Sequence, residues 1–114
     1  RDALIEELIE YKWYTGEDVS IIFDAYLVKG NPGSKRYIGG VEVVFTKENQ
    51  TADTYIEKKV GELMRNRKNH VRVATSDWAE QQMVLGIGAM RLSAREFVIE
   101  LESVRKSIIK KTKK

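Results

Sequence analysis

An α/β domain with a mostly parallel sheet flanked by helices is the fold class this sequence predicts, on two observations. Helix-like and strand-like hydrophobic patterns largely alternate along the 114 residues. The first strand-like run, residues 19–23 (VSIIF), is apolar at four positions of five, as in strands covered on both faces of a parallel sheet.

The elements follow in order. Residues 2–15 predict a helix: Leu4, Ile5, Leu8 and Ile9 share one face, Glu6, Glu7 and Glu10 fill the other, and Gly16 is placed to end it in the left-handed conformation. Strand 19–23 ends at Asp24. Residues 29–40 hold four of the eight glycines and the only proline, Pro32, which predicts a loop made basic by Lys29, Lys35 and Arg36. Residues 41–45 (VEVVF) form the second strand. A helix over 51–66 carries the stripe Ala52, Ile56, Val60 and Leu63. Residues 71–75 (VRVAT) are the third strand, followed by a short helix from Asp77 to Val84, then a turn and a brief last strand within 86–92. The final helix opens on a capping box, Ser93 with Glu96, and runs along Ala94, Phe97, Val98, Leu101, Val104 and Ile108.

Length and composition describe one domain able to bury a core without staples. Cysteine is absent, which excludes disulfides, thiolate metal sites and cysteine nucleophiles. No apolar run approaches a membrane span and no signal peptide is recognisable, so a cytoplasmic protein is expected. The net charge of +3 is unevenly placed: residues 105–114 hold six Lys/Arg and no acid, leaving residues 1–104 at −3. The chain therefore reads as a domain over 1–104 with a basic helical tail over 105–114. That tail is equally suited to a phosphate backbone and to a solvated helix end beside the macrodipole.

Sites in open parallel sheets form beyond the carboxyl ends of strands. Asp24 follows the first strand, Thr46, Lys47 and Glu48 and then Thr51 and Asp53 follow the second, and Ser76 and Asp77 follow the third. Asp53 and Glu57 share a helix face, and Glu80 lies one turn beyond Asp77. Each acid also has a purely structural role open to it, as turn former or as helix N-terminal charge. Gathered together, they would repel unless a cation neutralised them, and oxygen donors of this kind select Mg²⁺ or Mn²⁺. Such ions assist hydrolysis of phosphodiesters. His70, the only histidine, opens a strand away from this edge, and Gly86-x-Gly88 lacks the spacing of a nucleotide loop.

The stretches IIFDAYLVKG, VEVVFTKENQTADTYIEK and VRVATSDWAEQQMVLGIGAMRLSAREF resemble, in order and spacing, the YacP-like NYN-domain proteins. This resemblance covers residues 1–105 and implies a PIN-like three-layer fold and a PIN-related endoribonuclease acting on ribosome-associated mRNA. It places Asp24, Asp53 and Asp77 in the family's metal site, with Ser76 as the neighbouring hydroxyl. It also implies one departure: the family opens with a strand ending in Asp-Gly-Tyr-Asn, whereas this sequence opens one element later, so a central strand and one carboxylate are expected to be missing from it. On this reading Lys35, Arg36, Lys47 and Arg91 hold RNA, with Tyr37 or Trp78 available to stack on a base, although Trp78 is expected to pack beneath the site. A non-catalytic RNA- or ribosome-binding module is the alternative.

Overall fold

The computed structural model describes residues 1–112, so Lys113 and Lys114 of the basic tail lie outside the described residues. In chain order the elements are α1 (Asp2–Thr15), β1 (Ser20–Phe23), β2 (Ser34–Ile38), β3 (Val41–Phe45), α2 (Ala52–Met64), β4 (Arg72–Ala74), α3 (Trp78–Ile87), β5 (Met90–Leu92) and α4 (Ala94–Thr112). The strands form two sheets, one ordered β1-β3-β2 and one pairing β4 with β5. β1 runs parallel to β3, and β4 parallel to β5.

Two predictions need correcting. The segment 29–40 is not wholly loop, because Ser34–Ile38 forms β2, antiparallel to β3 with Ile38 opposite Val41. The hairpin closes through Gly39 and Gly40, whose φ values of 57° and 89° belong to glycine, and a Cβ on Gly39 would come within 2.7 Å of the Ile9 side chain. The polar sequence SKRYI conceals this strand, since an edge strand facing water needs no apolar alternation. Nor is β1 covered on both faces; its Ile21, Ile22 and Phe23 are half-buried. Full burial falls instead on β3, the middle strand, where Val41 to Val44 are all buried.

Local signals act where they were read. Gly16 ends α1 at φ 76° and its N–H returns to the Lys12 carbonyl. Ser93 and Glu96 exchange reciprocal bonds of 3.0 Å to each other's backbone N–H at the start of α4. The basic residues from Arg105 onward continue α4 without a break through Thr112.

Two hydrophobic cores result. The first joins Ile5, Leu8 and Tyr11 of α1 to Val41 and Val43 of β3 and Leu101 of α4; the second joins Val60 of α2, Val73 of β4, Val84 of α3 and Ala89. Two ion networks bridge them. Arg72 of β4 makes a bidentate pair with Glu100 of α4, both bonds 2.8 Å, and its guanidinium also donates to the Tyr11 hydroxyl at 2.8 Å. Tyr11 in turn donates to Glu100. Burial first, then the bond to Glu100, pushes the Tyr11 hydroxyl up to about 12, while the Arg72 hydrogen bond outweighs burial and holds Glu100 at about 2. In the second network the buried Glu42 of β3 meets Lys59 of α2 at 2.9 Å, Ser20 of β1 at 2.9 Å and Tyr37 of β2 at 3.1 Å. Burial raises this carboxyl, but the bonds from Lys59, Ser20 and Tyr37 prevail and hold it at about 2.

Removing one partner of a buried pair strands the other. Because Arg72 and Glu100 keep partial solvent contact, Arg72→Met is expected to cost about 2 kcal/mol, less than a fully buried pair. Urea unfolding measures it, and a loss within error of zero contradicts the bridging role.

Candidate active site

Two helix N-termini meet on one side of the second core. α2 begins at Thr51, whose hydroxyl accepts from the Thr54 N–H at 3.2 Å, and it presents Asp53 in its first turn. α3 begins at Asp77, whose carboxylate accepts from the Glu80 N–H at 3.0 Å. Asp77 therefore serves as an N-cap, a role the sequence left open to it, and lies against Glu80. The loop before it is braced. Asp77 N–H donates to Thr75 Oγ1 at 3.1 Å, Thr75 N–H donates to the Leu92 carbonyl at 3.0 Å, and Gln81 Nε2 donates to the Thr75 carbonyl at 2.9 Å.

Glu80 is the residue sequence reasoning left out of the site. Only 5 % of it is exposed, and its Oε1 is buried without a hydrogen-bond partner among the described residues. Burial first, then contact with the Asp53 carboxyl, then the charges of Asp53 and Asp77, push Glu80 up to about 8. Two carboxylates cannot donate to each other. Glu80 therefore relieves the contact by holding a proton, which turns the repulsion against Asp53 into a hydrogen bond. The spacing Asp77-x-x-Glu80 was visible as a turn of helix; that Glu80 points inward was not.

The structure brings together Asp53, Asp77 and Glu80. Asp24 stands exposed after β1 and lines a different recess, an open cleft of about 460 Å³ shared with Arg1, Phe23, Asn31, Ser34 and Phe45; the other three acids are not on its lining. Phe23 and Phe45 stack there at 5.0 Å, with the Arg1 guanidinium 5.0 and 4.9 Å from their ring centres. Among the described residues no three acidic, histidine or cysteine side chains form a ready-made metal cage. The donor chemistry of Asp53, Asp77 and Glu80 nonetheless fits a hard divalent cation: all donors are oxygen, and one is a buried acceptor that lacks any donor. Ser76 is exposed beside Asp77.

The predicted RNA contacts divide. Arg36 and Lys47 are exposed. Lys35 pairs with Glu42 at 3.3 Å, and the Tyr37 hydroxyl donates to the same carboxylate, so both belong to the structural network. Arg91 donates to Gln81 Oε1 at 3.1 Å and is otherwise exposed. Trp78 does not pack beneath the site: it is 69 % exposed, because as the first residue of α3 it projects from the turn where the helix leaves the core. His70 is exposed ahead of β4.

Comparison with known proteins agrees with this architecture. Residues 1–114 match the family model described as the YacP-like NYN domain. The chain is 46% identical to the protein YacP of Bacillus subtilis across 100% of its own length and 66% of that protein's. A crystal structure of Rae1 (YacP) from Bacillus subtilis superposes with a TM-score of 0.80 at 45% identity, covering 98% of this chain and 63% of that one. A single-substitution variant of the same protein gives 0.79 at 43% identity, covering 96% and 62%. The chain thus spans less than two thirds of these relatives.

The Glu80 carboxyl sets a pH dependence. Its folded value near 8 lies above its ordinary value of 4.5, so between these pH values unfolding releases a proton and rising pH destabilises the fold. In chelator, the wild type is expected to lose roughly 3 kcal/mol of stability from pH 5 to pH 8, and Glu80→Gln to lose little. Urea titrations across that range measure the slopes; parallel slopes contradict the assignment.

Proposed function

The chain belongs to the YacP-like NYN domain family, which is PIN-like and nuclease-type, and from that premise we propose that it is a divalent-metal-dependent endoribonuclease hydrolysing phosphodiester bonds in mRNA. The observation that carries this reading is the buried, unpartnered Glu80 Oε1 between Asp53 and Asp77. A site that forces a carboxyl to keep a proton at neutral pH is one that a divalent cation can relieve.

Asp53, Asp77 and Glu80 are the proposed donors to Mg²⁺ or Mn²⁺, with Asp24 a more distant carboxylate acting through water. A cation held there would supply positive charge to a phosphodiester undergoing hydrolysis. Ser76 offers a hydroxyl next to Asp77. Arg91, braced by Gln81, along with the exposed Arg36 and Lys47, holds backbone phosphates. Lys35 contributes charge from its place beside Glu42. The exposed Arg105, Lys106, Lys110 and Lys111 give α4 a basic end suited to RNA or to a ribosome. No helix among the described residues is long and apolar enough to cross a membrane. Ribosome-associated mRNA in the cytoplasm is the proposed substrate and setting.

Cleavage of single-stranded RNA is expected in Mg²⁺ or Mn²⁺ and not in chelator. Asp77→Asn keeps a competent N-cap, so it should fold as the wild type does yet cleave on the order of 100-fold more slowly or worse. A gel assay of labelled RNA measures both. Wild-type cleavage by Asp77→Asn and by Glu80→Gln removes these residues from the mechanism, and RNA binding with no cleavage under any metal favours a non-catalytic binding module.

A further inference from the structure

We infer that Trp78 is the base-stacking residue of this site, selecting an unpaired nucleotide beside the scissile phosphate. The inference rests on the nuclease reading above and extends it to what the substrate must present. Trp78 occupies the first position of α3, next to Asp77 and two residues before Glu80, so its backbone lies within one helical turn of two of the three acids. It is 69 % exposed, and its side chain makes no hydrogen bond among the described residues.

Helix formation does not call for tryptophan there, since that position accepts most residues, and an indole left in water forgoes one of the largest burial gains of any side chain. The other highly exposed aromatics have partners. The Trp13 indole N–H donates to the Gly39 carbonyl at 2.9 Å, the Tyr37 hydroxyl is bound to Glu42, and the Tyr14 ring lies 5.1 Å from the Lys111 ammonium. Trp78 is the exposed indole with no cation over its ring and no hydrogen bond at its N–H among the described residues.

A cation belongs to the same structural unit. Arg91 is tied to Gln81 of α3, and Gln81 to the Thr75 carbonyl just before Asp77. A guanidinium on β5 tied to Gln81 of α3, and an exposed indole on the first residue of α3, match the two parts of a nucleotide, phosphate and base. A base inside a duplex already has both faces covered by its neighbours. Only an unpaired base can lie on Trp78, and because every base has a π-face the contact discriminates strandedness rather than sequence.

The test uses Trp13→Phe, which leaves Trp78 as the sole fluorophore among tryptophans. Short single-stranded oligouridine, titrated in chelator and again in Ca²⁺, is expected to quench Trp78, and the same length of duplex RNA is not. Trp78→Ala, with unchanged melting temperature, is expected to raise KM about tenfold with kcat retained, and Trp78→Tyr to restore most of the loss. Quenching without any metal-dependent cleavage upholds the stacking role while the nuclease reading falls. Cleavage with wild-type KM in Trp78→Ala, equal quenching by duplex, or no quenching in either condition overturns the stacking role and leaves the nuclease reading standing.

Discussion

Two ion networks, one around the buried Glu42 and one around the partly exposed Arg72–Glu100 pair, hold the two hydrophobic cores of this protein in register. The core built on β3, α1 and α4 and the core built on α2, α3 and β4 have no buried residue in common. Arg72 crosses from β4 to Glu100 and Tyr11, and Lys59 crosses from α2 to Glu42. Ion pairs drawn wholly or partly out of water add little net stability against apolar replacements, because desolvation offsets most of the attraction. Their geometric demands are strict, however, since a displaced partner leaves a charge unpaired. Here that strictness has a functional meaning: Asp24 follows a strand of the first core, whereas Asp53, Asp77 and Glu80 sit on helix starts of the second. The networks set how the two groups of acids stand to one another.

Within the second core, the acids themselves are placed by ordinary helix chemistry. Thr51 and Asp77 are caps, and each puts a first-turn acid close behind it. The positive ends of two helices attract carboxylates, which is why a local cluster of negative charge can form at all. The attraction is not sufficient at Glu80, whose burial leaves it holding a proton. Stabilisation by dipoles and destabilisation by crowding thus coexist at one spot, and a cation is the natural counterpart to the residual field.

What could be read from the residues alone was whatever depends on near neighbours in the chain. The Gly16 stop and the Ser93 and Glu96 box are local, and each appears as expected, whereas the predicted apolar stripes are buried only in part: Ile5, Leu8, Val60 and Leu101 are buried while Leu4, Leu63 and Val98 are exposed. The family resemblance likewise agreed with the comparisons, since its motifs are long and ordered. β2 was hidden because an exposed edge strand carries no apolar signature. Glu80 was named beside Asp77 but left out of the metal site, Trp78 was expected to pack and Lys35 was assigned wholly to RNA for one shared reason: burial, exposure and the Glu42 partner are made by residues distant in sequence.

The central claim is that Asp53, Asp77 and Glu80 together bind a divalent cation, and paramagnetic line broadening by Mn²⁺ tests it most directly. Amide resonances of these three residues should broaden first, at substoichiometric Mn²⁺, and Glu80→Gln should weaken the effect. Broadening that begins at other acidic positions such as Asp2 or Glu62, with residues 53, 77 and 80 unaffected, would contradict it.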